Sequence, residues 1–195
     1  GGSAIGPSGI FASQTHGFAS QTVGSNLIAD NAIQIQNNSS GALALTGNVA
    51  LGSNTATLNG SGDTSMRTVV SGTGALVQSG SGNTTLSGAN TYSGGTTLSA
   101  GSLVVNHATG LGTGALAISG GTLASTNAST VGNIVTLQGN TTYSGITLSG
   151  NLTQTGGSYT LNLANATQSG GVKLSNNNTA QTLTVQVDSG NSTIS

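Results

Sequence analysis

The sequence has no cysteine, no tryptophan and no glutamate, and only five charged residues: Asp30, Asp63, Asp188, Arg67 and Lys173. The lack of cysteine excludes a disulfide framework and thiolate metal sites. Two basic side chains give no electrostatic footprint for nucleic acid or anionic lipid. No apolar run approaches the ~18 residues of a membrane-spanning helix, so membrane insertion is not expected. Pro7 is the single proline, and good helix formers are scarce beside 33 glycines, so the sequence reads as strands and turns. An ordinary surface is roughly a quarter charged; here Ser, Thr, Asn, Gln and Gly must cover it. The formal net charge of -1 leaves little self-repulsion, which favours association.

Groups able to do chemistry are equally sparse. Catalysis needs convergent acids, bases or nucleophiles, and the sequence offers His16, His107 and three widely spaced aspartates. Each histidine reads as a polar turn residue without an acid to orient it. Asp188-Ser189 lacks the surrounding sequence of a nucleophile elbow. No histidine pair, Asp-rich calcium loop or metal-binding nonapeptide is present. Gly110 to Ala115 (GLGTGA) fits a dinucleotide pattern formally, but no acid follows at the required distance of ~20 residues. Sequons such as Asn83-Thr84-Thr85 and Asn140-Thr141-Thr142 are what an Asn- and Thr-rich sequence produces by chance. The expectation is a protein without catalytic, cofactor or metal residues.

What is abundant is alternation. Apolar pairs two residues apart recur at Ile33/Ile35, Leu43/Leu45, Val49/Leu51, Ala56/Leu58, Leu103/Val105, Leu116/Ile118, Val135/Leu137, Ile146/Leu148, Leu161/Leu163, Val172/Leu174 and Leu183/Val185/Val187. Side chains two apart share one face of a strand, so each pair is expected to point into a common interior. Turns rich in Gly or Asn separate them. Gly-Ala-Leu recurs at Gly41, Gly74 and Gly114, and Leu98, Ile118 and Leu137 stand about twenty apart, a plausible coil length. The run Asn176-Asn177-Asn178 reads as a solvated turn, with a stacked polar ladder as the alternative.

One segment also has an echo. LSGANTYSGGTTLSAGSLVV (Leu86 to Val105) is followed by LQGNTTYSGITLSGNL from Leu137, so leucine and tyrosine are six apart in both, as Leu86/Tyr92 and Leu137/Tyr143. A copied strand-turn unit that cannot bury its own apolar face must stack on a neighbour, the signature of a solenoid. The first copy resembles the autotransporter-associated β-strand repeat, with its Leu-Ser-Gly-x-Asn-Thr-Tyr-x-Gly-Gly-Thr core. LGTGALAISGGTL (Leu111 to Leu123) continues in the same style. Resemblance is strongest over Gly74 to Leu123 and weaker to about Leu152. It implies a right-handed parallel β-helix (β-solenoid) outside the bacterial cell. The opening at Gly1, without a basic-then-apolar leader, is expected to reflect either signal-peptide cleavage or an excised piece. The resemblance implies no single activity, since such repeats occur in adhesins, aggregation factors and stalks. Leu86, Tyr92, Leu98, Leu103, Leu137, Tyr143 and Leu148 are the expected repeat core. Exposed stacking of the tyrosines on sugars is the alternative to packing.

The first thirty residues differ. FASQTHG (Phe11 to Gly17) is followed at once by FASQTVG (Phe18 to Gly24), and the two copies together hold both phenylalanines. A strand running through seven residues would put them on opposite faces, so a turn is expected at Gly17. The division is therefore an N-terminal arm or cap over 1–30 and a β-solenoid over 31–195. Either a coil end needs covering or the arm packs on another subunit. The reading that explains most is a non-enzymatic extracellular subunit that assembles head to tail with itself into a fibre or surface layer. Phe11, Phe18, Val185, Val187 and Ile194 are its candidate contacts. A passenger fragment acting as adhesin or stalk is the alternative, and a module binding host or matrix glycans a weaker one.

Overall fold

The computed structural model describes residues 3–5, 10–12, 20–174, 180–188 and 190–195. Pro7, His16, Gly17, Phe18, Asn176 to Asn178 and Ser189 lie outside them, as does the side chain of Phe11. Among the described residues every regular element is a strand, and every pairing is parallel. Two nine-stranded sheets run the length of the molecule, and two four-stranded sheets share a third side. The polypeptide visits them in rotation. Leu43–Leu45 lies in one long sheet, Val49–Ala50 on the third side, Ala56–Asn59 in the other long sheet, and Thr64–Met66 returns to the first. The fold is thus a parallel β-solenoid of about eight turns, as the alternation predicts.

Period-two alternation sets the inside. Ile35, Leu58, Gln78, Leu98, Ile118, Leu137, Gln154 and Leu174 form one continuous column, each pairing with the next. Leu98, Ile118 and Leu137 therefore stack directly, and the spacing near twenty is the coil. The opposite sheet carries Leu43, Thr64, Thr84, Leu103, Leu123, Tyr143 and Leu163 in register. These side chains are buried up to the last coil, while the residues between them point outward and are half-exposed. Each coil buries its apolar face only because its neighbours cover it, which is why the stack is cohesive without charge or disulfides.

Early strands join the same sheets. Ser3–Ile5 pairs with Leu27–Ala29, Ile10–Ala12 with Ile35–Asn37, and Gln21–Val23 with Leu43–Leu45. Corners between strands demand close backbone approach. A Cβ on Gly150 would stand 1.9 Å from the Asn133 carbonyl oxygen of the coil below, and one on Gly170 2.0 Å from that of Gly150. Glycine is required there because adjacent coils touch backbone to backbone.

On the third side the ladder is interrupted. One four-stranded sheet ends at Val70–Ser71 and the other begins at Thr130–Val131. Between them, Ser87 to Ser93 and Asn106 to Thr113 form no strand. The latter segment instead closes turns, with Gly110 N–H donating to the His107 carbonyl and Gly112 N–H to that of Thr109, both at 2.9 Å.

Candidate functional site

Among the described residues, the solenoid keeps the titratable side chains apart. Asp63 lies exposed at a corner and accepts from Asn83 Nδ2 of the next coil at 3.0 Å. Arg67 is exposed and donates through Nε to Ser65 Oγ at 3.2 Å. His107 is half-buried in its turn, where its Nδ1 accepts from Thr109 N–H at 3.2 Å. Lys173 and Asp188 are exposed on the last described coil. Among the described residues, no three of His, Cys, Asp or Glu gather as a metal ion would need. The dinucleotide-like glycines serve packing instead. A Cβ on Gly112 (φ +65°) would meet the Tyr92 carbonyl at 2.3 Å and its ring at 2.9 Å.

Both repeat tyrosines lie in the interior. Tyr92 and Tyr143 are fully buried, as are Leu86, Leu98, Leu103, Leu137 and Leu148. Neither ring is available as a stacking platform. Burial drives both phenols well above their ordinary pKa, with the Thr96 hydrogen bond opposing the rise at Tyr92. The two copies are not equivalent in space. Leu86 ends a strand aligned with Met66 and Val105, and Tyr92 follows on the third side. Leu137 belongs to the opposite long sheet, beside Ile118 and Gln154, and Tyr143 to the sheet of Leu86, between Leu123 and Leu163.

The interior also holds amides that the apolar pattern does not announce. Gln78 sits in the column between Leu58 and Leu98, where Nε2 donates to the carbonyls of Gly80 (3.0 Å) and Gly82 (3.4 Å). Its Oε1 accepts from the Thr84 hydroxyl at 2.7 Å. Asn37 donates to Gly41 and Asp63 carbonyls, Asn133 to those of Gly112 and Gly114, and Gln168 to those of Gly150 and Gly170. Buried carboxamides thus bring donors to the corner carbonyls, of which those of Asp63 and Gly82 also accept a backbone N–H, from Leu43 and Ser102. For Asn37, Gln78 and Gln168 the sequence signal is an amide at an inward strand end just before a Ser- and Gly-rich turn.

Among the described residues, the broadest apolar exposure is at the last coil. Val172 and Leu174 are 38% and 43% exposed, Val185 and Val187 36% and 56%, and Ile194 43%. They continue the inward columns of Leu152, Gln154, Leu161, Leu163 and Gln168, all of which are fully buried. All three sides of the coil therefore present core side chains to solvent. Among large apolar side chains this sets the coil apart from the isolated exposures of Ile28 and Ile134.

Residues 76–105 match the family model described as passenger-associated-transport-repeat. The protein carries an autotransporter passenger-like repeat. No curated protein and no solved structure matches it. In the solenoid this repeat spans Leu76–Gln78, Asn83–Leu86, Thr96–Leu98 and Ser102–Val105, hence more than one coil, with Tyr92 at the intervening corner. Such a repeat goes with a secreted or surface-exposed protein.

Proposed function

We propose that the protein is a non-catalytic, extracellular structural solenoid that stacks end to end with further copies of itself to build a fibre or surface layer. The observation that supports this reading is the last coil, whose five core-column side chains are open to solvent. A parallel coil is completed by another parallel coil of like period, because only that continues both the ladder and the interior columns. Head-to-tail contacts that do not close into a ring propagate as filaments. With a formal net charge of -1, little repulsion opposes such stacking. Surface glycans remain a partner class for the outward Thr, Asn and Gln side chains.

A second reading has its own support in the repeat at residues 76–105. In a longer passenger the same open coil is covered by the next coil of one polypeptide, and the solenoid serves as a stalk. Sedimentation velocity over a concentration series, with electron microscopy, separates the two. Growth into rods with concentration, abolished in Val187→Lys, supports self-assembly. A protein that stays monomeric at every concentration ends that reading and leaves the stalk.

A further inference from the structure

The dipeptide Asn59-Gly60 closes the strand Ala56–Asn59 and is the sole Asn-Gly step in the sequence. Gly60 N lies 2.7 Å from Asn59 Oδ1, so the backbone nitrogen and the carboxamide of the preceding residue are already in contact. The flanking backbone is committed to neighbouring coils: Gly62 N–H donates to the Asn37 carbonyl, and the Leu58 carbonyl accepts from the N–H groups of Ser79 and Gly80 in the next coil. The bond to its neighbour's carboxamide is the one the structure records for Gly60 N–H. Gly60 takes φ +101°, and as glycine it has no Cβ to hinder approach to the carboxamide. No larger residue could take its place, because a Cβ would fall 2.1 Å from the Asn37 carbonyl oxygen. The corner therefore fixes a glycine directly after an asparagine whose carboxamide is held against the glycine nitrogen.

We propose that Asn59-Gly60 is a built-in site of spontaneous deamidation. Gly60 N attacks Asn59 Cγ and gives up its proton to solvent. The new C–N bond closes a five-membered succinimide as the carboxamide C–N bond breaks and ammonia leaves. Water then opens the ring. Attack at Cγ yields an aspartate at position 59; attack at the backbone carbonyl yields an isoaspartyl linkage with one extra backbone carbon. No oxidant, metal or enzyme is needed. Either product adds a carboxylate and takes the formal net charge from -1 to -2. The isoaspartyl product also lengthens the backbone where Asn59 pairs with Gln36 of the coil below. The site acts as a clock that places charge on an otherwise weakly charged stack.

The test is incubation of the folded protein in mildly alkaline buffer, with proteolysis and mass spectrometry at intervals and circular dichroism to confirm that the strands persist. The expected result is the amide-to-acid mass change in the peptide holding Asn59-Gly60, at least about tenfold faster than in any other Asn peptide, because the reacting groups are pre-positioned. Asn59→Gln, whose attack would need a larger ring, should abolish that fast phase. Conversion in the urea-unfolded protein but not in the folded one would mean that the fold protects the site, and would overturn the proposal. Absence of conversion in both states would overturn it equally.

Discussion

The Tyr92 phenol lies 2.6 Å from Thr96 Oγ1 inside the solenoid, whereas the Tyr143 hydroxyl, equally buried, has no hydrogen-bond partner among the described residues. Removing the two hydroxyls should therefore have opposite effects. Tyr92→Phe loses a buried hydrogen bond and is expected to cost about 1 kcal/mol. Tyr143→Phe removes a buried hydroxyl that nothing satisfies and is expected to stabilise by a similar, roughly 1 kcal/mol, amount. Urea unfolding of both variants beside the parent protein checks the contrast. Equal losses in the two would show that the hydroxyls are equivalent after all.

That contrast also marks what the sequence discloses. Alternation at Leu116/Ile118 or Leu161/Leu163 reports which side chains face inward, because strand geometry leaves two faces and the core takes one. The echo of Leu86/Tyr92 in Leu137/Tyr143 discloses less, since the two pairs fall on different sides of the coil. Coil length is the reason. Along the column from Ile35 through Leu58, Gln78, Leu98, Ile118, Leu137 and Gln154, successive residues are separated by 23, 20, 20, 20, 19 and 17 positions. Corners absorb the differences, so similar strings slide relative to the three sides. Gln78 and Gln154 are illegible for another reason: a polar residue in an apolar column looks like surface until the corner carbonyls it serves are known.

The buried phenols give the fold an alkaline limit. An unfolded tyrosine ionises near pH ~10, but Tyr92 and Tyr143 hold their protons above that because desolvation opposes the phenolate. Above the unfolded pKa the native state therefore binds more protons than the unfolded state, and stability falls as pH rises. The expected slope is about 1.4 kcal/mol per pH unit for each phenol, beginning near pH ~10, with no contribution from these groups below it. Tyr92→Phe should remove that residue's share of the slope. Unfolding midpoints measured across the alkaline range, with phenolate absorbance followed in parallel, decide it: ionisation of these rings must coincide with loss of strand signal.

Gln78 tests whether the interior amides hold the corners. In Gln78→Leu an aliphatic side chain joins Leu58 and Leu98 in the column, but the Gly80 carbonyl loses the Gln78 donor, the Gly82 carbonyl keeps only the Ser102 N–H, and the Thr84 hydroxyl loses its acceptor. Orphaned polar groups outweigh the apolar gain, so a loss of about 1–3 kcal/mol is expected. Adding Thr84→Val removes one orphan and should recover part of that loss. Full additivity of the two substitutions in a double-mutant cycle would contradict the contact between them.

Coil spacing itself is tested at two glycines near one corner. A Cβ on Gly150 would stand 1.9 Å from the Asn133 carbonyl oxygen, with Gly132 O at 2.8 Å, and both are backbone atoms that cannot rotate away. Gly150→Ala must therefore push two coils apart, at a cost of about 3 kcal/mol or more. The spread should also strain the amide of Gln168, whose Nε2 bridges the Gly150 and Gly170 carbonyls. A Cβ on Gly132 meets nothing nearer than Ser149 Oγ at 3.7 Å, so Gly132→Ala should change stability by less than about 0.5 kcal/mol, as surface substitutions do. Hydrogen exchange resolved along the sequence adds the spatial test. Gly150→Ala should raise exchange in the strands Leu152–Gln154 and Thr167–Gln168 while Leu76–Gln78 keeps its protection, because each coil answers only to its neighbours. A uniform rise along the whole solenoid would mean that the stack unfolds as one unit rather than coil by coil.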